Sequence, residues 1–191
     1  MTAPSQGLAA TDGRHALHIR DARPDERPTI RALTLAACEQ YASRMPHWEM
    51  YRRDLLATLD QAGPETRIVA EQGGVLVGSV LLYPASANVY ATETANAGWP
   101  EVRLLAVAPE ARGQGVGRAL LDECIRRARQ AGATVLGLHS EDLMEVAVGM
   151  YERRAFVRVP QFDFSPADGV LVKAYCLRLD DSTAEQEPGL A

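Results

Sequence analysis

Lysine is almost absent from this 191-residue chain: of its 20 basic residues, 19 are arginine and Lys173 is the single lysine. That excludes a P-loop, whose GxxxxGKS/T signature needs a lysine directly after its second glycine, whereas Lys173 follows Val172. Positive charge is in deficit as well. With 25 acidic residues the formal net charge is −5, which argues against the clustered cationic surface that nucleic-acid phosphates require. No apolar run approaches the ~18 residues of a membrane span. The N-terminal MTAPSQGLAATDGRHA lacks the basic-then-apolar order of a secretory signal. Cysteine is scarce: Cys38, Cys124 and Cys176 are far apart and odd in number, which gives no zinc spacing and fits a reducing cytoplasm. His15, His18 and His47 form no ligand set, so no metal is expected.

What remains is ordinary globular composition, 47% hydrophobic and 24% charged. The length suits one domain able to bury roughly 70% of its unfolded surface. The expected organisation is a flexible tail over residues 1–14, one domain over 15–180 and an acidic tail over 181–191. Between the tails, element types alternate. A short strand from Ala16 precedes a helix whose Ile30, Leu33, Ala37 and Tyr41 share a face, and Pro46 breaks it. A second helix carries Trp48, Tyr51, Leu55 and Leu59 on one stripe. The runs 67–71 and 75–83 form a hairpin across Gly73-Gly74, and 84–98 is a polar loop. A strand over 102–108, a helix over 116–131, a strand over 135–138 and a helix over 142–154 follow. Two strands, 156–159 and 170–179, close the chain. This order predicts an α/β fold with a mixed sheet.

The chemistry concentrates in Glu101-Val-Arg-Leu-Leu-Ala-Val-Ala-Pro-Glu-Ala-Arg-Gly-Gln-Gly-Val-Gly-Arg118. An apolar strand feeds a turn with Gly113, Gly115 and Gly117, and a helix starts at once. Glycines let backbone N–H groups approach a ligand, and a helix start offers unpaired donors at the positive end of its dipole. No Ser, Thr, Asp or Asn lies between residues 109 and 121 to cap those donors from within. A phosphate suits the role, with Arg112 and Arg118 beside it. Residues 102–131 hold six arginines against three acids, a local surplus in a chain that is acidic overall, although Arg126, Arg127 and Arg129 suit a solvated helix face. The dinucleotide pattern GxGxxG fails in both registers, since its last position falls on Arg118 or Leu120.

The complete string resembles the acetyl-CoA signature of the GCN5-related N-acetyltransferase (GNAT) superfamily, R/Q-x-x-G-x-G/A after an apolar strand, carried here by Arg112, Gly115 and Gly117. Ala147-Val-Gly-Met-Tyr-Glu-Arg-Arg-Ala-Phe156 is similar to that family's A-x-x-L-Y-E-x-x-G-F segment. The resemblance implies a mixed, mostly antiparallel sheet of about seven strands with about four helices, splayed at the central strand. It implies acetyl-CoA as cofactor, with the diphosphate on Arg112, Gly113, Gln114, Gly115, Val116, Gly117 and Arg118. The pantetheine arm would pair with Leu105, Ala106 and Val107 in the manner of an added strand. Tyr151 matches the tyrosine that protonates the leaving thiolate, and Glu101 the glutamate that serves some relatives as base. As alternatives, Tyr151 suits ordinary helix packing, and Glu101 an exposed strand-entry carboxylate or a partner of Arg103.

Tyr41, Tyr51, Tyr90, Trp48 and Trp99 are aromatic candidates for the acceptor wall, Asp163 suits either attraction of a cationic amine or a solvated loop, and His139 either lines the site or marks a strand end. Cys124 lies on a buried stripe and reads as an inert core thiol. Two departures stand out: Ala155 replaces the usual glycine before Phe156, and Met144 replaces an asparagine. The implied reaction is direct transfer of an acetyl group to a small-molecule amine in the cytoplasm. Neither a nucleic-acid nor a membrane partner is expected, and a homodimer is expected at family level. A non-catalytic acyl-CoA-binding or regulatory module is the alternative, compatible with both departures.

Overall fold

A computed structural model describes residues 16–61, 63, 65–87 and 97–180. The expected tails and Tyr90 lie outside them. The elements run β1 (Leu17–Asp21), α1 (Arg27–Cys38), α2 (Trp48–Asp60), β2 (Thr66–Gln72), β3 (Val75–Tyr83), β4 (Glu101–Val107), α3 (Val116–Gln130), β5 (Val135–Ser140), α4 (Glu145–Glu152), β6 (Val157–Arg158) and β7 (Lys173–Arg178). The helix expected from residue 142 therefore begins at Glu145, and Tyr41 falls in a 3-10 turn after α1. Among the described residues, no helix is long and apolar enough to cross a membrane.

The strands form one seven-stranded sheet in the order β1-β2-β3-β4-β5-β7-β6, antiparallel except for β4 beside β5. Gly73 and Gly74 both take positive φ, as a tight hairpin turn demands, and join β2 to β3. Alternation along the strands divides the core. Ile68 and Val80 face one side, where Leu120, Leu121 and Cys124 of α3 pack with Leu136, Leu138, Tyr151 and Phe156. Val69 and Leu81 face the other, against Ile30 of α1 and Leu55 and Leu59 of α2. All three cysteines are free and buried. At the sheet edge Arg20 bridges Glu26 and Glu71, and its hydrogen bond outweighs burial to pull the Glu26 carboxyl down to about 2.

Two irregularities of β4 create the site. Its register against β3 shifts between Ser79 and Leu81, where Leu104 adopts φ 49°, a left-handed conformation unusual for a side chain with a Cβ. On its other side β4 pairs with β5 only at Glu101–Gly137 and Val102–Leu138. Beyond that point the two parallel strands diverge, and, among the described residues, 103–107 have no strand neighbour towards β5.

Candidate active site

The divergence opens a cleft of ≈ 1590 Å³ that runs from the glycine turn past α4 to α2. At one end Gly113 (φ 74°) and Gly115 (φ 84°) are left-handed, and a Cβ on either would meet no atom within 4 Å. They are glycine for conformation and approach rather than for internal packing. Gly115 caps α3 without any side-chain hydrogen bond, so the first N–H groups of Val116–Arg118 are available to an anion. Arg118 is exposed on the cleft, 3.7 Å from Asp122. Arg112 also lines it, but its guanidinium donates to the carbonyl of Ala37 at 3.0 Å and so fastens the turn to the end of α1. Gln114 turns back to the carbonyl of Glu110. Leu105, Ala106 and Val107 line the cleft floor between this turn and the divergence. A diphosphate and an extended amide chain fit these groups: uncapped donors, basic side chains and an unpaired strand flank.

Tyr151 sits on α4 at the middle of the cleft, buried, with no hydrogen bond to its hydroxyl among the described residues. Burial above all, then the nearby Tyr41 and Cys124, push its pKa up, so the phenol stays protonated at neutral pH. Met144 precedes α4 and lines the cleft. Ala155 takes φ 62°, doing in a strained form what the expected glycine does freely.

The far end differs from the sequence expectations. Glu101 is neither exposed nor limited to Arg103. It is 6% exposed, does not line the cleft, and its Oε1 lies 3.0 Å from Nδ1 of His139. Nε2 of His139 donates to the Phe162 carbonyl at 2.9 Å, and its ring meets Phe164 edge-on. Tyr41 and Tyr51 do line the cleft, and Tyr51 is hydrogen-bonded to Cys38 at 3.7 Å. Trp48, Trp99 and Asp163 do not. Trp48 stacks on Tyr51, and Trp99 packs its edge on Phe162. Asp163 is consumed by internal bonds: burial raises its pKa, but two bonds from Arg158 (2.8 and 2.7 Å) and one from the Ala174 N–H (2.8 Å) outweigh that and lower it. Its carboxylate is an internal acceptor that ties Arg158 to the Ala174 strand.

Several groups at this end carry no local sequence signature. His47 lies 3.1 Å from Glu141, although 94 residues separate them. Glu65 Oε2 and Ser140 Oγ are buried without hydrogen-bond partners, and both residues line the cleft. The charged lining is mixed: Arg103, Arg112, Arg118, Arg153 and Arg154 share the cleft with Asp54, Glu65 and Glu141, of which Glu65 is paired with Arg67 at 2.7 Å and Glu141 with His47.

A splayed α/β sheet with an uncapped glycine turn beside the splay fits the class of acyl-CoA-dependent transferases expected from the sequence. Residues 30–156 match the model of the Acetyltransferase (GNAT) family, and the chain belongs to that family. A GNAT acetyltransferase from Brucella melitensis, solved in complex with acetyl-CoA, is 25% identical with a TM-score of 0.57, over 87% of this chain and 90% of that one. The ribosomal-protein-S18-alanine N-acetyltransferase from Escherichia coli shares the fold at 16% identity and TM-score 0.60, over 90% and 99% of the two chains. A mycothiol acetyltransferase from Propionibacterium freudenreichii is 46% identical over 56 residues, a match that covers 29% of this chain and only 18% of that protein. The chain is thus a GNAT-family acetyltransferase, the family of the acetyl-CoA-bound Brucella protein.

Proposed function

We propose that the acceptor is a small-molecule amine and that the acetyl group passes to it directly. The observation that carries this reading is one continuous cleft, lined by the uncapped glycine turn and by Tyr151, Tyr41 and Tyr51. Acetyl-CoA supplies the activated acyl group as a thioester. The chain's own work is to hold both reactants in one cleft, to offer the flank of residues 103–107 to the coenzyme arm, and to present a protonated phenol to the departing sulfur. The diphosphate rests on the N–H groups of Val116–Arg118, with Gly113 and Gly115 leaving the approach clear.

The small-molecule part of the proposal rests on two ties at the acceptor end. The segment between α1 and α2 is tied to the segment after β5 by His47–Glu141 and by Arg44–Glu145 at 3.0 Å. A wall tied in this way supports a compact acceptor over an extended peptide. Covalent catalysis by cysteine is disfavoured: Cys38 lines the cleft, but burial raises its thiol pKa, and Cys124 is pushed up to about 12. The test is release of free coenzyme A thiol and of N-acetyl product across a panel of amines. Equal release from small amines is expected, with none from peptides. Acetylation of peptide N-termini alone would overturn the small-molecule reading.

A further inference from the structure

Two histidine–glutamate pairs reach this cleft, and their hydrogen bonds separate their chemistry. In the first, both ring nitrogens of His139 are engaged, Nδ1 with Glu101 and Nε2 with the Phe162 carbonyl. A carbonyl only accepts, so Nε2 carries hydrogen, and the remaining contact is buried, with side chains 6% and 8% exposed. This pair clamps the start of β4 to the end of β5 and to the Phe162 segment. No ring nitrogen of His139 is left to face a substrate.

The second pair is built differently. Nε2 of His47 lies 3.2 and 3.1 Å from the two Glu141 oxygens, while Nδ1 has no hydrogen-bond partner among the described residues. His47 stands at the cap position of α2, yet its side chain makes no capping bond. A carboxylate draws the ring hydrogen to Nε2 and leaves the lone pair on Nδ1, which fixes one tautomer. A carboxylate-oriented imidazole with one nitrogen free is what a general base requires. A second, independent feature concerns the proton's exit. His47 and Glu141 line not only the cleft but also a separate depression of ≈ 500 Å³ beside it.

We propose that His47, oriented by Glu141, is the base that deprotonates the acceptor amine, and that the neighbouring depression passes the proton to solvent. The inference rests on the amine reading above. An ammonium nitrogen must shed two protons to become an amide. His47 Nδ1 takes the first, which frees the nitrogen lone pair. The nitrogen then bonds the acetyl carbon as the carbon–sulfur bond breaks, and sulfur leaves with that electron pair. The second proton from nitrogen is balanced by the one that sulfur acquires from Tyr151, which is reprotonated in turn. The net release is one proton, carried out through His47. Glu141 is a positioning residue. The charged groups around the pair are Arg44 with Glu145, Asp142 with Lys173, Glu49 in the first turn of α2, and Asp168 in the depression.

The experiment compares wild type with His47→Gln and Glu141→Gln, and reads the His47 tautomer by 15N imidazole NMR in wild-type protein without coenzyme. The expected tautomer is Nε2–H. His47→Gln should lower kcat/KM for an alkylamine about 100-fold at about pH 7 and leave acetyl-CoA Kd within about twofold. That deficit should shrink to a few-fold by about pH 10, where the amine loses its proton unaided. Glu141→Gln should lose about tenfold and converge in the same way. An Nδ1–H tautomer, wild-type turnover in His47→Gln at about pH 7, or a deficit that stays constant with pH would each overturn the proposal. Failure of wild type to acetylate any amine would overturn the amine reading and this one together, which distinguishes the two failures.

Discussion

At the coenzyme end of the cleft, most contacts come from the end of β4 and the turn into α3, with α4 and the residues after it alongside. At the acceptor end, Tyr51, Glu65, His139 and Glu141 arrive from α2, the start of β2, β5 and the segment after it. The coenzyme end is mostly backbone: positive-φ glycines and uncapped N–H groups that any chain with this string presents. The acceptor end is side chains brought together across the sheet. A backbone site reads a ligand through main-chain geometry, whereas a side-chain site depends on the particular residues that the fold brings together.

Substitutions sharpen that division. The largest effect is expected from Gly115→Trp, which forces a side chain onto φ 84° and into the anion site. Acetyl-CoA affinity by calorimetry should fall more than about 100-fold with the far-ultraviolet spectrum unchanged, and retained affinity would break the assignment of this end. Next comes Tyr151→Phe, at the junction of the two ends. Its kcat should fall about 10–100-fold while acetyl-CoA Kd changes less than about twofold, and an unchanged kcat would remove Tyr151 as the acid.

A smaller effect tests that the site stands on a separately stabilised frame. Glu26 is pulled to about 2 by its hydrogen bond from Arg20, and Glu123 to about 2 by that from Arg126. Both lie below the ~4.3 of an unfolded glutamate, so each contributes stability that is complete above about pH 5 and lost as pH falls through about 2. Thermal midpoints should drop across that window. Glu26→Gln should flatten the fall, and an unaltered slope would contradict the pairing. Smallest of all is Ala155→Gly. Relief of a left-handed alanine, about 1–2 kcal/mol, is partly offset by glycine's freedom in the unfolded chain, which leaves a Tm gain of about 1–2 °C by calorimetry. A fall in Tm would show that residue 155 is not strained.

The division also explains what could be read before the structure. The glycine turn, the apolar strand and the missing helix cap are local in sequence, and the family resemblance they carry accounts for the fold and the coenzyme. Alternation in β2 and β3 and the Gly73-Gly74 turn are local too. Trp48, Trp99 and Asp163 do not line the cleft, and aromatic or acidic identity says nothing about which face a loop or first helical turn presents. Trp99 turns to Phe162, and Asp163 to Arg158 and the Ala174 N–H. His47–Glu141 and Glu101–His139 are tertiary pairs 94 and 38 residues apart, with no spacing rule to announce them.

Direct transfer within one cleft is the central claim, and initial-velocity kinetics test it most directly. With acetyl-CoA varied at several fixed concentrations of an active amine, double-reciprocal lines should intersect, because both reactants are bound before any product leaves. Parallel lines, with coenzyme A released before the amine binds, would contradict it and require an acetylated enzyme.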